Sequence, residues 1–248
     1  MTLTNESVAV VTGASSGIGE ACVRALRAHD VTVHALARRS DRIERLADET
    51  GCLAHTFDVR DRDAVDELGA TVPADILINN AGLGRAMGSI WTAELDDIER
   101  TVDTNVTAAI LMIRALVPGM VERRRGHLVN ISSTMAVYPG GAALYGATKG
   151  AIHKLSRDLR LELKGTGVRV SEINPGRVAT EFYDVAIDDD AERAKATDHG
   201  ITELEPGDVA DSILHVLAAP RHVSINQIEL TPTEQVYGGY GFAPIWED

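Results

Sequence analysis

The chain has 248 residues, a formal charge of −13, 44% hydrophobic residues and only 4% aromatics. That length supports one sizeable core and is short for two domains. The acidic balance argues against a general nucleic-acid or anionic-membrane binder, which needs a basic face to neutralise phosphates.

In chain order, Val8 to Val11 is a short apolar run ending in Thr12-Gly13, the pattern of a buried strand. Ile18, Ala21, Cys22, Ala25 and Leu26 then mark one face of a helix. Val31 to Ala37 reads as a second strand, and Asp41 with Glu44 three residues later reads as a helix start. A strand at Leu53 to Phe57, a helix near Asp61 to Gly69 and a strand at Ile76 to Ile78 continue the alternation. A long helix is expected from Leu95 to Met120, with Val102, Val106, Ala109, Ile110, Ile113 and Val117 on one stripe. Then come a strand at His127 to Ile131, a helix at Leu144 to Leu163, a strand at Val168 to Ile173, a helix at Gly207 to Leu217 and a strand at Ser224 to Leu230. Strands separated by helices of this length imply βαβ units and a parallel sheet covered on both faces. The expectation is one doubly wound α/β domain over residues 1–248. Residues 181–200, polar and carrying Asp188-Asp189-Asp190, break the rhythm and read as a mobile flap; residues 231–248 form a C-terminal tail.

Cys22 and Cys52 have no metal-ligand spacing and give no disulfide framework, and the eight histidines contain no HExxH pair, so no metal is expected. The start MTLTNESVAV lacks a basic segment followed by an apolar one, and no apolar run approaches the ~18–20 residues that span a bilayer. A soluble cytoplasmic protein without membrane or nucleic-acid partners is the expectation.

The first strand leads directly into Gly13-Ala14-Ser15-Ser16-Gly17-Ile18-Gly19 and a helix. Glycines let the backbone turn sharply and approach a phosphate, and the helix N-terminus offers N–H groups to a pyrophosphate. The spacing is Gly-x-x-x-Gly-x-Gly rather than the usual dinucleotide fingerprint; a plain tight βα turn is the bland alternative. At the end of the second strand, where an acidic residue would accept from a ribose 2′-hydroxyl, stand Ala37 and then Arg38-Arg39. An arginine pair without a carboxylate suits a 2′-phosphate, so NADP(H) is expected over NAD(H). An exposed pair with no ligand is the alternative.

Tyr145 and Lys149 lie four residues apart, on one face of an expected helix. A free phenol has a pKa near ~10, and a neighbouring ammonium lowers it toward the working range of an acid or base. A hydroxyl at Ser132 or Ser133, ending the preceding strand, suits the oxygen of a carbonyl or alcohol. By itself, such a pair is more often a solvated helix face.

Taken together, Thr12-Gly13-x-x-x-Gly17-x-Gly19, Asp58-Val59, Asn79-Asn80-Ala81-Gly82, Asn105, Asn130-Ile131-Ser132-Ser133, Tyr145-x-x-x-Lys149 and Pro175-Gly176 occur in an order and spacing that resembles the short-chain dehydrogenase/reductase family. The resemblance covers nearly the whole chain. It implies a seven-stranded Rossmann-type parallel sheet of order 3-2-1-4-5-6-7 and transfer of a hydride and a proton. It implies Tyr145 as general acid in reduction and base in oxidation, Lys149 on the nicotinamide ribose, and Asn105 holding a water toward Lys149. Asp58 and Val59 would contact the adenine. Asn79, Ala81 and Gly82 would line the cofactor, and Pro175, Gly176, Val178 and Thr180 would meet the nicotinamide and its phosphate arm.

One departure concerns the serine. The family residue is the second Ser of its Asn-x-Ser-Ser pattern and sits thirteen before the tyrosine; here Ser133 matches the pattern and Ser132 the spacing. Ser133 is preferred, because loop length shifts more readily than strand register. Residues Thr180-Glu181-Phe182 and His222 to Thr233 also resemble the NADP-dependent 3-hydroxy acid and serine dehydrogenase branch. The arginine that often follows Thr-Glu-Phe in acid-binding members is replaced by Tyr183-Asp184-Val185-Ala186, leaving Arg85, Arg177 or Arg193 as possible carboxylate partners. The leading expectation is an enzyme acting on a small ketone or secondary alcohol. A 3-hydroxy acid or 3-oxoacyl dehydrogenase is the first alternative, and a non-catalytic NADP-binding sensor the second. Surplus apolar residues on the long helix and the Tyr–Lys helix point to a homodimer or homotetramer, with the tail from Tyr237 to Trp246 covering an active site or a neighbour.

Overall fold

The computed structural model describes residues 3–236 and 241–245. Seven parallel strands form one sheet in the order β3-β2-β1-β4-β5-β6-β7. They are β1 (Val8–Thr12), β2 (Thr32–Ala37), β3 (Leu53–Thr56), β4 (Ile76–Asn79), β5 (Gly126–Ile131), β6 (Val168–Pro175) and β7 (Gln227–Leu230). The order reverses between β1 and β4, and the crevice beyond the carboxyl ends of the strands at that point is where open α/β sheets bind ligands.

Helices α1 (Gly17–Ala28), α2 (Ser40–Thr50) and α3 (Arg62–Thr71) follow the first three strands; α4 (Leu95–Val102), α5 (Ala108–Glu122) and α6 (Ala143–Glu162) follow β4 and β5. One face of the sheet packs Val11, Val33, Ile78 and Val129 against Val23 and Leu26 of α1 and against Ile213 and Leu217 of α9 (Pro206–Ala218). The opposite face packs Val10, Leu77, Leu128 and Val170 against Met112, Leu116 and Met120 of α5 and Leu159 of α6. The central strands β1, β4 and β5 carry side chains into both clusters, which is why they read as continuous apolar runs.

Several expectations need correction. Asp41 is not the cap of α2; the helix begins at Ser40 after Arg39, and Asp41 lies in its first turn, where its charge complements the helix dipole. The long helix is present but contains a π turn, Asp103–Thr107. The extra residue in that turn shifts the helical phase, so Val102 and Ile110 fall on the exposed surface while Ala109, Ile113 and Val117 are buried. Contrary to expectation, the stretch Leu95–Glu122 is by length and composition apolar enough to cross a bilayer, its apolar residues being interrupted by polar ones. Its α5 portion instead buries Met112, Leu116 and Met120 against the sheet. Residues 181–200 stay off the sheet as expected and form α7 (Phe182–Ala186) and α8 (Asp190–Thr197). Tyr237, Tyr240 and Trp246 of the tail lie outside the described residues.

Candidate active site

A cavity of about 730 Å³ opens at the carboxyl ends of β1, β4, β5 and β6. Its floor is set by backbone. Gly13 and Gly17 have φ of +65° and +54°, a region that side chains disfavour. A Cβ on Gly19 would stand 2.3 Å from the Gly13 carbonyl oxygen, so this glycine permits the turn rather than lining the cavity. The ends of β1 and β4 are laced together by Thr12: its Oγ1 accepts from the backbone N–H groups of Asn80 and Ala81 at 3.0 Å each. Asn80 Nδ2 donates to Thr12 and Gly13 carbonyls at 3.0 and 3.2 Å.

Ser16 precedes α1 without a side-chain cap, and Ser15, Ser16, Gly17 and Ile18 border the cavity. The uncapped first turn leaves N–H groups for an anion. Beside it, Arg39 donates from Nε to Ser15 Oγ at 3.0 Å and from Nη2 to Ser16 Oγ at 2.6 Å. Its Nη1 reaches Glu181 Oε2 at 2.9 Å, and Arg42 Nη1 meets both Glu181 oxygens at 2.7 and 2.8 Å. These two guanidiniums hold the Glu181 carboxyl below the usual range, Arg42 contributing most. Arg38 borders the cavity on the Asp58 side rather than at the glycine turn: it is 57% exposed and 3.7 Å from Asp58. Asp58 is bound mainly by Arg60, at 3.0 and 2.8 Å. Arg42 was not anticipated; its place one turn beyond the arginine pair is the signal that could have found it. The donor-rich turn with two nearby guanidiniums fits a phosphorylated dinucleotide.

Tyr145, Lys149, Ser132 and Ser133 all border the same cavity. Lys149 is buried on α6, donates to the Ile131 carbonyl at 2.9 Å, and lies 5.7 Å from the centre of the Tyr145 ring. The two serines diverge where β5 ends. Ser132 Oγ donates to the Lys149 carbonyl at 3.0 Å, whereas Ser133 Oγ accepts from Met135 N–H at 3.1 Å and borders the cavity with Tyr145. Asn105, in the π turn, accepts from Leu83 N–H at 2.7 Å and donates to the Leu83 carbonyl at 2.8 Å and to Thr148 Oγ1 at 3.0 Å. It sits behind the cavity wall rather than in it, bracing the loop after β4 against α6.

The electrostatics reverse one expectation. Burial pushes the Tyr145 phenol up, and Tyr183 adds to the rise; the Ser133 hydroxyl opposes it. Lys149 is not the dominant influence on the phenol. Burial pushes Lys149 itself down to about 8, with buried Glu172 opposing.

Val59, Ala81, Gly82, Pro175, Gly176, Val178 and Thr180 border the cavity. Asn79 does not: its side chain donates to Asn130 Oδ1 at 3.1 Å beneath the sheet, and Asn80 takes the cavity position. Period-two alternation accounts for the exchange.

The far end of the cavity is walled by side chains remote in sequence. Phe182 lies 5.2 Å from the Tyr145 ring, and a Cβ on Gly84 would come within 2.2 Å of Phe182. Arg177 is 13% exposed, with its guanidinium 4.8 Å from the Tyr183 ring and 5.2 Å from the Phe242 ring of the tail. Its Nη1 donates to the Ala196 carbonyl at 2.7 Å and lies 3.9 Å from Glu203 Oε1. Arg85 is engaged by Asp97 and Asp188, and Arg193 by Asp184, Asp190 and the Ile187 carbonyl. Of the three arginines considered for a carboxylate, Arg177 alone borders the cavity.

Comparison with known proteins agrees with this architecture. A short chain dehydrogenase family model matches residues 7–191. The chain is 41% identical over 241 residues to an NADP-dependent 3-hydroxy acid dehydrogenase of Salmonella typhi, covering 94% of this chain and 97% of the relative. It is 36% identical over 239 residues to a serine 3-dehydrogenase of Agrobacterium fabrum, covering 93% and 96%. A solved closed form of serine dehydrogenase complexed with NADP+ superposes with a TM-score of 0.89 at 38% identity, covering 97% of this chain and all of that one. With its sheet order, glycine turn and Tyr–Lys helix in place, the chain belongs to the short-chain dehydrogenase family.

Proposed function

We propose that this oxidoreductase uses NADP(H) to interconvert a small ketone and its secondary alcohol, with Tyr145 moving the proton. The observation that carries the reading is the convergence of Tyr145, Ser133 and buried Lys149 on the cavity that also holds the glycine turn and Arg39. Ser15, Ser16 and the first turn of α1 would hold the pyrophosphate, and Arg39 with Arg42 the 2′-phosphate. Asp58 and Val59 would flank the adenine; Ala81, Gly82, Pro175, Gly176, Val178 and Thr180 would hold the nicotinamide half. When bound, the cofactor supplies or accepts the hydride.

Tyr145, raised by burial, is protonated at neutral pH and so is ready to donate to a carbonyl oxygen in reduction. Ser133, which borders the same cavity as that phenol, would hold the same oxygen. Ser132 is engaged by the backbone of α6 and would serve structure. Lys149 would bear on the ribose and the phenol, and Asn105 would keep Lys149 and the loop after β4 in register. Residues 181–200 would act as the flap that closes over the substrate.

A second reading, a substrate bearing a carboxylate, is favoured by Arg177, whose guanidinium is fixed between two rings at the cavity wall. The relatives named for 3-hydroxy acids and serine support it. NADPH oxidation measured against neutral ketones, 3-oxo acids and 3-oxoesters tests both readings. Turnover of ketones alone favours the first, turnover of 3-oxo acids the second, and NADPH binding without turnover of any carbonyl contradicts both and favours a sensor. The exposed Val102 and Ile110 of the long helix and Leu161 at the end of α6 support assembly as a homodimer or homotetramer, which light scattering at micromolar concentration tests.

A further inference from the structure

The acidic residue that opens the flap is joined to the arginines of the opposite lip. Arg39 and Arg42 belong to the β2–α2 corner, whereas Glu181 lies some 140 positions later, immediately before α7. Arg39 uses its three nitrogens on three acceptors: two are the hydroxyls of Ser15 and Ser16 in the glycine turn, and the third is Glu181. Arg42 gives one nitrogen to both oxygens of the same carboxylate. A carboxylate therefore sits between two guanidiniums, one of which also holds the two hydroxyls of the glycine turn, on the wall of the nucleotide cavity.

We propose that Glu181 is a built-in anionic competitor for the cofactor's 2′-phosphate, and thereby a determinant of the selectivity between NADP(H) and NAD(H). This rests on the reading that Arg39 and Arg42 receive that phosphate. A phosphate monoester carries up to two charges and three acceptor oxygens, so it outmatches a single carboxylate for the same guanidiniums. It also repels the carboxylate it replaces. An unphosphorylated ribose brings no charge and leaves Glu181 bound to both arginines.

The competition reaches the substrate side through the chain. Phe182 rests against Tyr145 and Tyr183 against Arg177, so release of Glu181 acts on the residues that immediately follow it. The arginine pair would thus serve the flap in one state and the cofactor in the other. The selectivity for the phosphorylated cofactor is then lower than two arginines and two serines would give alone, because part of their attraction is already engaged.

Glu181→Gln keeps the size and removes the charge. Dissociation constants for NADPH and NADH, read from nicotinamide fluorescence or calorimetry in the absence of substrate, should show NADPH tightened by about three- to fivefold, the scale of a partly exposed ion pair. NADH should change by less than twofold. Adenosine 2′-monophosphate, which lacks the nicotinamide, should be tightened like NADPH, and adenosine should be unaffected. NADPH binding that is unchanged or weaker in Glu181→Gln, with wild-type preference for NADPH intact, would overturn the proposal and make Glu181 a brace that orients the arginines. A wild-type protein that binds NADPH and NADH equally would overturn the phosphate reading itself, and the proposal with it.

Discussion

The two ends of the cavity are built by different means. At the nucleotide end the shape is largely backbone: Gly13 packs against the Ala81 main chain, Gly19 leaves no room for a Cβ beside the Gly13 carbonyl, and Gly17 faces Thr180. At the substrate end the shape is side chains, contributed by Arg177, Phe182, Tyr183 and Phe242 from the β6 exit, the flap and the tail. The nucleotide end therefore depends on a few residues close in sequence, each with little freedom. The substrate end depends on rings and charges that can be exchanged without disturbing the sheet, which is how one fold serves many substrates. Tyr145 and Lys149 stand between the two and need both.

The largest expected effect is at that junction. Lys149→Met should lower turnover by about 10²- to 10⁴-fold, the range for a group tied to acid–base catalysis, yet leave the protein as stable or more so. Holding this ammonium in a buried site, with its pKa moved from 10.5 to about 8, costs about 3 kcal/mol at neutral pH. The Ile131 carbonyl that loses its donor offsets roughly 1 kcal/mol of the gain. Between about pH 8 and 10.5 the unfolded chain holds a proton that the native chain has released, so wild-type stability gains on the variant as pH rises through that window. A denaturant midpoint that falls on substitution at pH 7 would go against this.

Gly19→Ala tests the backbone end. Its Cβ would meet the Gly13 carbonyl at 2.3 Å and Asn80 Nδ2 at 2.5 Å. Overpacking of this kind costs about 1–3 kcal/mol, and weaker NADPH binding should accompany it. At the other end, Arg177→Ala should cost about 1–2 kcal/mol of stability through its lost ring contacts and its hydrogen bond to Ala196. If the substrate bears a carboxylate, KM for 3-oxo acids should rise by about tenfold or more, the scale of a charged hydrogen bond, with KM for neutral ketones little altered. Equal changes for both substrates would remove the carboxylate reading.

The contrast between the two ends also explains what the sequence revealed. The sheet order, the glycine turn and the Tyr145–Lys149 spacing were legible because local rules fix them: a strand, a turn without Cβ atoms, a helix repeat. The π turn around Asn105 was not, since hydrophobic periodicity assumes a constant 3.6 residues per turn. The roles of Arg38 and Arg39 were not separable either, because adjacent residues leave a strand in opposite directions and only the fold says which one faces the glycine turn. The pairing of Glu181 with Arg42 escaped notice because it joins segments far apart in the chain. The direction of the Tyr145 shift was misjudged for a similar reason: a neighbouring lysine is visible in sequence, whereas burial is not.

The account rests on the hydroxyl of Tyr145 as the group that moves the proton. Tyr145→Phe removes that oxygen and little else. NADPH affinity and carbonyl-dependent NADPH oxidation, measured on the same preparation of this variant, should show affinity within about twofold of wild type and turnover lower by about 10²-fold or more. Turnover comparable to wild type would contradict it.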